Sequence, residues 1–145
     1  GNWGVRVNAW SGRASRWYKT DSTNSKIEFV ATNLIQENIS FIDFFVQSNI
    51  TNYSYNSLSG KYFATLYSGF SSDFQLFDGN FTDSTFVLQS INMNCDSSIA
   101  STQIKATYSD IEKDSFKLEI RQSADNGINW SPGAQLIYGR IDNAN

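Results

Sequence analysis

The side chains able to do chemistry in this chain are few in kind. Histidine is absent from the 145 residues, which removes the commonest general base, the commonest metal ligand and the usual proximal haem ligand. The serines have no imidazole to activate them, so hydrolysis of the Ser-His-Asp kind is excluded. Cys95 is the only cysteine; no disulfide can form within the chain, and the residue reads as a packed or loop thiol. Asp21, Asp43, Asp73, Asp78, Asp83, Asp110, Glu112 and Asp114 fall mainly in turns. No D-x-D-x-D-G loop or spaced carboxylate pair marks a calcium site or a glycosidase dyad. The residue inventory therefore predicts no catalytic centre, no metal site and no cofactor.

What remains is binding chemistry, and it centres on Arg16. The stretch Ala9-Trp10-Ser11-Gly12-Arg13-Ala14-Ser15-Arg16-Trp17-Tyr18 alternates so that Trp10, Gly12, Ala14, Arg16 and Tyr18 share one face of a strand. A buried guanidinium must be paired. Its partner is either the anionic head group of a ligand or Asp43, which lies in phase with Phe41 and Phe45; a slip of parity at a bulge would instead leave it in solvent. Tyr18, Phe29, Phe45, Tyr62, Phe74, Phe86, Tyr108 and Phe116 would line an interior pocket, the phenols orienting a ligand by hydrogen bonds. If no pocket exists, the same rings simply fill the core.

Positioning these groups calls for a sheet. Eleven Phe, seven Tyr and four Trp against a single Pro suit pleated, half-buried surface. Chain length predicts one domain spanning residues 1–145, with a core that needs no disulfide or metal. Clean alternation places Ile104, Ala106 and Tyr108 inward on one strand, and Phe116, Leu118 and Ile120 inward on the next, joined by the short charged connector Asp110 to Asp114. Further strands are read at 26–31, 40–47, 50–55, 61–67, 73–78, 85–91 and 134–141. Turns are read at Asn56 to Gly60 and at Asp78-Gly79-Asn80, and a polar loop at 92–98. Eight to ten strands with no room for a crossover helix give an antiparallel meander. It closes into an up-and-down barrel, or splits into a two-sheet sandwich of jelly-roll type. A formal charge of -3, with cations scattered singly, argues against nucleic acid. No apolar run approaches about 18 residues, which argues against membrane insertion, and the opening residues show no secretory n-region or h-region.

Three stretches make the chain similar to lipocalin-like, or calycin, barrels, in particular to small bacterial lipocalin-like domains of unassigned function. Trp10-Ser11-Gly12 resembles their W-x-G opening; Tyr108 to Phe116 resembles their hairpin ending in D-S-F; Ser123 to Trp130 resembles their S-x-D-G-G-x-x-W turn, with Asn126 where a glycine is usual. The terminal Tyr138-Gly139-Arg140 is similar to the Y-x-R that closes such chains. The resemblance implies that Arg140, on the last strand, covers Trp10 on the first, so Trp10, Tyr138 and Arg140 are expected to be structural. Trp10→Ala is then expected to cost about 3 to 5 kcal/mol.

The expected function is non-enzymatic binding of a small hydrophobic or amphipathic molecule, with Arg16 and Tyr18 as polar anchors. Two alternatives stand beside it. Resemblance to bilin-attaching calycins implies a tetrapyrrole lyase or chaperone. A carbohydrate-binding sandwich would stack sugar rings on Trp3, Trp17 and Trp130, provided these indoles are exposed on one surface.

Overall fold

The computed structural model describes residues 1–42, 46–68, 74–92 and 102–141. Its ten strands are β1 (Asn2–Ser11), β2 (Arg16–Ala31), β3 (Leu34–Ile42), β4 (Val46–Asn56), β5 (Lys61–Ser68), β6 (Phe74–Thr82), β7 (Thr85–Ser90), β8 (Gln103–Ser109), β9 (Ser115–Ser123) and β10 (Ser131–Arg140). Each pairs antiparallel with its neighbour in sequence, and β10 pairs with β1 from Trp3↔Arg140 to Ala9↔Ala134. The sheet is therefore a closed up-and-down barrel, and the sandwich alternative falls. Closure gives every strand two partners and leaves no edge on which another chain could template.

The period-2 pattern decides which side chains enter the barrel. Trp3, Val5 and Val7 of β1 lie beside Leu136 and Tyr138 of β10 and Phe116 and Leu118 of β9 in one core cluster. Ala64, Phe77 and Leu88, with Tyr53, Tyr62, Leu66 and Phe86 around them, form a second on the β4 to β7 side. Short connections fix the registers. Asn56 accepts the backbone N–H of Leu58 and Ser59 at 3.0 and 3.1 Å, and Gly60 takes φ +66°, so the turn read at Asn56 to Gly60 is present. Asp110, at φ 51°, opens the β8–β9 connection.

Three local expectations change. The stretch 9–18 is not one strand. β1 ends at Ser11, whose Oγ accepts the Ala14 N–H at 3.1 Å, and Ser15 turns the chain at φ 50°. Ser and Gly accept such turns readily, and the apparent alternation of Gly12 and Ala14 carries no apolar mass to hold them in a sheet. Asp78-Gly79-Asn80 is not a turn but the middle of β6. A Cβ on Gly79 would lie 1.8 Å from the Val87 carbonyl oxygen, so the glycine is there for close approach of β7; the reversal comes at Asp83, at φ 54°. The run 40–47 is split between β3 and β4. The side chains of Asp43 and Phe45 lie outside the described residues, as does the loop around Cys95.

Candidate functional site

The feature that stands out inside the barrel is a carboxylate. In β3, Gln36, Asn38 and Ser40 alternate with Ile35, Glu37 and Ile39, and because Ile39 must point inward, Glu37 points inward with it. Its residue exposure is 4%. Glu37 Oε1 accepts the Ser25 hydroxyl at 2.7 Å and the Tyr138 hydroxyl at 2.8 Å, and Oε2 accepts the Tyr53 hydroxyl at 3.2 Å. The Tyr53 and Tyr108 hydroxyl oxygens are 2.6 Å apart. With its own proton committed to Glu37, Tyr53 receives the proton of Tyr108. Three strands besides β3, namely β2, β4 and β10, thus aim hydroxyls at one carboxylate, and β8 joins the network through Tyr108 on Tyr53.

This cluster stands between two cavities. The larger, about 250 Å³, has apolar walls that include Ile39, Leu66, Phe77, Leu88, Leu118 and Leu136, with Glu37, Tyr53, Tyr108 and Tyr138 also lining it. The smaller, about 180 Å³, shares Glu37, Tyr53 and Tyr108 and adds Ile27, Phe81, Phe86, Ile111 and Phe116. A broader depression of about 690 Å³ is lined by Asn2, Ser22, Thr23, Asn24, Ser25, Lys26, Asn38, Ser40 and Ile141. Its side chains are mostly short and polar, with Ile141 the one aliphatic residue among those lining it, and it is more open to solvent than the larger cavity.

Burial chiefly, and then the neighbouring Glu37 and phenol charges, raise the hydroxyl pKa of Tyr53 well above the ordinary tyrosine value. Burial and Glu37 raise Tyr108 and Tyr138 likewise. An acid whose pKa is raised by folding stabilises the fold below its unfolded value, near 10, and loses that contribution as pH rises past it. Alkaline titration followed by tyrosinate absorbance should therefore show three of the seven tyrosines ionising only together with unfolding. Seven independent ionisations near pH 10 in folded protein would contradict the buried network.

The expected site residues divide. Phe86, Tyr108 and Phe116 line the smaller cavity, and Tyr62 packs inside on Phe86 with ring centroids 5.2 Å apart. Arg16, Tyr18 and Phe29 line neither cavity. Arg16 and Tyr18 (47% exposed) belong to a hairpin that continues to Ser11↔Arg16, beyond the last β1–β10 pair at Ala9↔Ala134. Arg16 has no β10 residue beside it, and Tyr18, opposite Ala9, stands on the last rung that does. Phe29, 77% exposed, lies past the end of β1, whose last pair with β2 is Asn2↔Lys26. Phe74 is outward and half exposed, stacked on Tyr67 at 5.7 Å. Asp43 and Phe45 are not among the side chains described.

The tryptophan beneath Arg140 is Trp3, not Trp10. Trp3 is 7% exposed, meets Phe116 edge-on at 5.2 Å, and has the Arg140 guanidinium 5.0 Å above its ring. Arg140 Nε is in turn 3.1 Å from Asp114 Oδ1. Phe116 and Tyr138 stack at 4.2 Å, which links this barrel end to the Glu37 cluster. Trp10 instead packs edge-on against Trp17 at 5.3 Å beside the β1–β2 hairpin. Tyr138 and Arg140 are placed as expected on one face of β10.

The turn Ser123 to Trp130 is held by Asp125, which accepts the Ser123 hydroxyl and both the backbone and side-chain N–H of Asn129 at 2.7 to 2.8 Å. These bonds, the Asn129 backbone bond foremost, bring the Asp125 pKa down to about 2. Asn126 sits there at φ 57° and Gly127 at φ 84°. Trp130 donates its indole N–H to the Gly127 carbonyl at 3.1 Å and lies under Lys105 Nζ at 4.1 Å, so it braces a turn. With Trp3 buried as well, the indoles do not form the shared exposed surface that sugar stacking would need. Comparison with protein-family models and with curated proteins finds no match to this chain.

Proposed function

We propose that this protein is a non-enzymatic carrier that holds one small hydrophobic or amphipathic molecule within its barrel. The observation that carries the reading is the 250 Å³ cavity, walled by aliphatic and aromatic side chains and supplied with a few convergent polar groups at Glu37, Tyr53, Tyr108 and Tyr138. Binding sites for small molecules have this make-up, apolar walls with sparse orienting groups. The volume falls just below the roughly 300 to 1,000 Å³ usual for drug-sized ligands, so the ligand is small. The same volume weighs against the tetrapyrrole alternative, because four linked pyrrole rings need more room. The closed up-and-down barrel is consistent with the calycin resemblance, whose members hold small molecules in this way.

Calorimetric titration with three eight-carbon amphiphiles, 1-octanol, n-octylamine and octanoate, tests the reading. At least one should bind at 1:1 stoichiometry. Ala106→Phe, which places a ring in the larger cavity, should weaken that binding at least tenfold while the far-ultraviolet spectrum stays that of the barrel. Absence of binding by all three, or binding untouched by the filled cavity, would defeat the proposal.

A further inference from the structure

The interior polar groups differ in kind from those a fatty-acid carrier would need. Of the chain's 11 Lys and Arg residues, none lines either cavity. Every one of them lies among the described residues, so the interior has no cation to receive a carboxylate or phosphate. Among the described residues the carboxylate lining the two cavities is Glu37, nearly fully buried, and its hydrogen-bond partners are all neutral hydroxyls. A buried charge without a counter-charge is costly, and hydrogen bonds alone do not repay its desolvation in full.

The donor count points the same way. The Tyr138 and Tyr53 protons go to Glu37, and the Tyr108 proton goes to Tyr53, so the three phenols have none left for a ligand. A carboxylate offers about four lone-pair sites. Glu37 Oε2 uses one of its own, in a contact that is long at 3.2 Å. Asn49 Oδ1, which belongs to the lining of the larger cavity, is buried and has no hydrogen-bond partner. Thr51 and Gln75 complete the polar lining and are neutral. Asn49, Thr51 and Gln75 carry neutral donors as well as acceptors, but among the described residues the charged group of the cavity is the Glu37 carboxylate, Asn49 Oδ1 is an unpartnered acceptor, and no cation lines the space.

We infer that the molecule carried is a small amphipathic amine, its ammonium group held by Glu37 and its apolar body in the larger cavity. The inference rests on the carrier reading above and names the ligand class for the same site. Alkylamines, like the lysine side chain at about 10.4, are protonated at neutral pH, and an ammonium offers three donors, enough for Glu37 Oε2 and one further acceptor.

The three ligands named above separate the two claims. Wild-type protein should bind n-octylamine at least tenfold more tightly than 1-octanol, and octanoate more weakly than either, at moderate salt. Glu37→Gln should bring octylamine down to the level of octanol. Glu28→Gln, which makes the same change in net charge on the outside of the barrel, should leave the preference intact. Octylamine and octanol binding equally in wild type, octanoate binding best, or a preference that survives Glu37→Gln would overturn the amine inference while leaving the carrier reading in place. Failure of all three to bind overturns the carrier reading itself. Should Glu37→Gln not fold, the wild-type ranking alone decides.

Discussion

Trp3→Ala should lower the free energy of unfolding by about 3 to 5 kcal/mol, the usual cost of emptying a buried site of this size. Trp3 is almost wholly out of solvent, meets Phe116 edge-on and sits beneath Arg140. Its loss removes the apolar contact, an aromatic pair and a cation–π contact together. In a chain of this length that corresponds to a melting temperature lower by about 10 °C or more. Trp10→Ala should cost only about 1 to 2 kcal/mol, because Trp10 is half-buried and its ring contact is with the equally half-buried Trp17. Thermal and denaturant unfolding of the two variants side by side measures the contrast. Equal losses, or a greater loss at position 10, would mean that the barrel end is not closed by Trp3.

The second large effect is expected at Glu37. Glu37→Ala removes the acceptor of the Ser25, Tyr53 and Tyr138 hydroxyls at once. A buried donor left without a partner costs about 1 to 3 kcal/mol, and water entering the adjoining cavities relieves part of that, so a net loss of about 2 to 4 kcal/mol is expected. Glu37→Gln keeps an acceptor oxygen in place and should cost about 1 kcal/mol. Chemical denaturation at neutral pH distinguishes them, and an unchanged midpoint in the alanine variant would show that the hydroxyls do not depend on the carboxylate.

The barrel was legible in the sequence where side chains commit to a face. Ile104, Ala106 and Tyr108 against Phe116, Leu118 and Ile120 are strongly apolar and in phase, and the structure pairs those strands as neighbours. The opening strand was misplaced because Ser11, Gly12, Ala14 and Ser15 are too small to commit, and alternation read through them is empty. The equally regular Trp3, Val5 and Val7, a few residues earlier, are the ones that enter the core. Glu37 was missed for a different reason. No strand is read across 32–39, a stretch rich in Asn, Gln and Glu; once Leu34–Ile42 is a strand, the phase of Glu37 with Ile35 and Ile39, against Gln36, Asn38 and Ser40, places it inward. Arg16 and Phe29 had the right parity for an interior but stand beyond the last paired rung of β10 and of β1 respectively. Strand length relative to neighbours is set by pairing across the barrel, which local pattern does not contain.

The most direct test of the account is to locate the bound molecule by nuclear Overhauser contacts between n-octylamine and methyl-labelled protein. Contacts are expected from the alkyl chain to Ile39, Leu66, Leu88 and Leu136, with the carbon bearing nitrogen nearest the Tyr53 and Tyr108 rings. Contacts confined to outward methyls such as Ile137, with the interior signals unmoved, would contradict it.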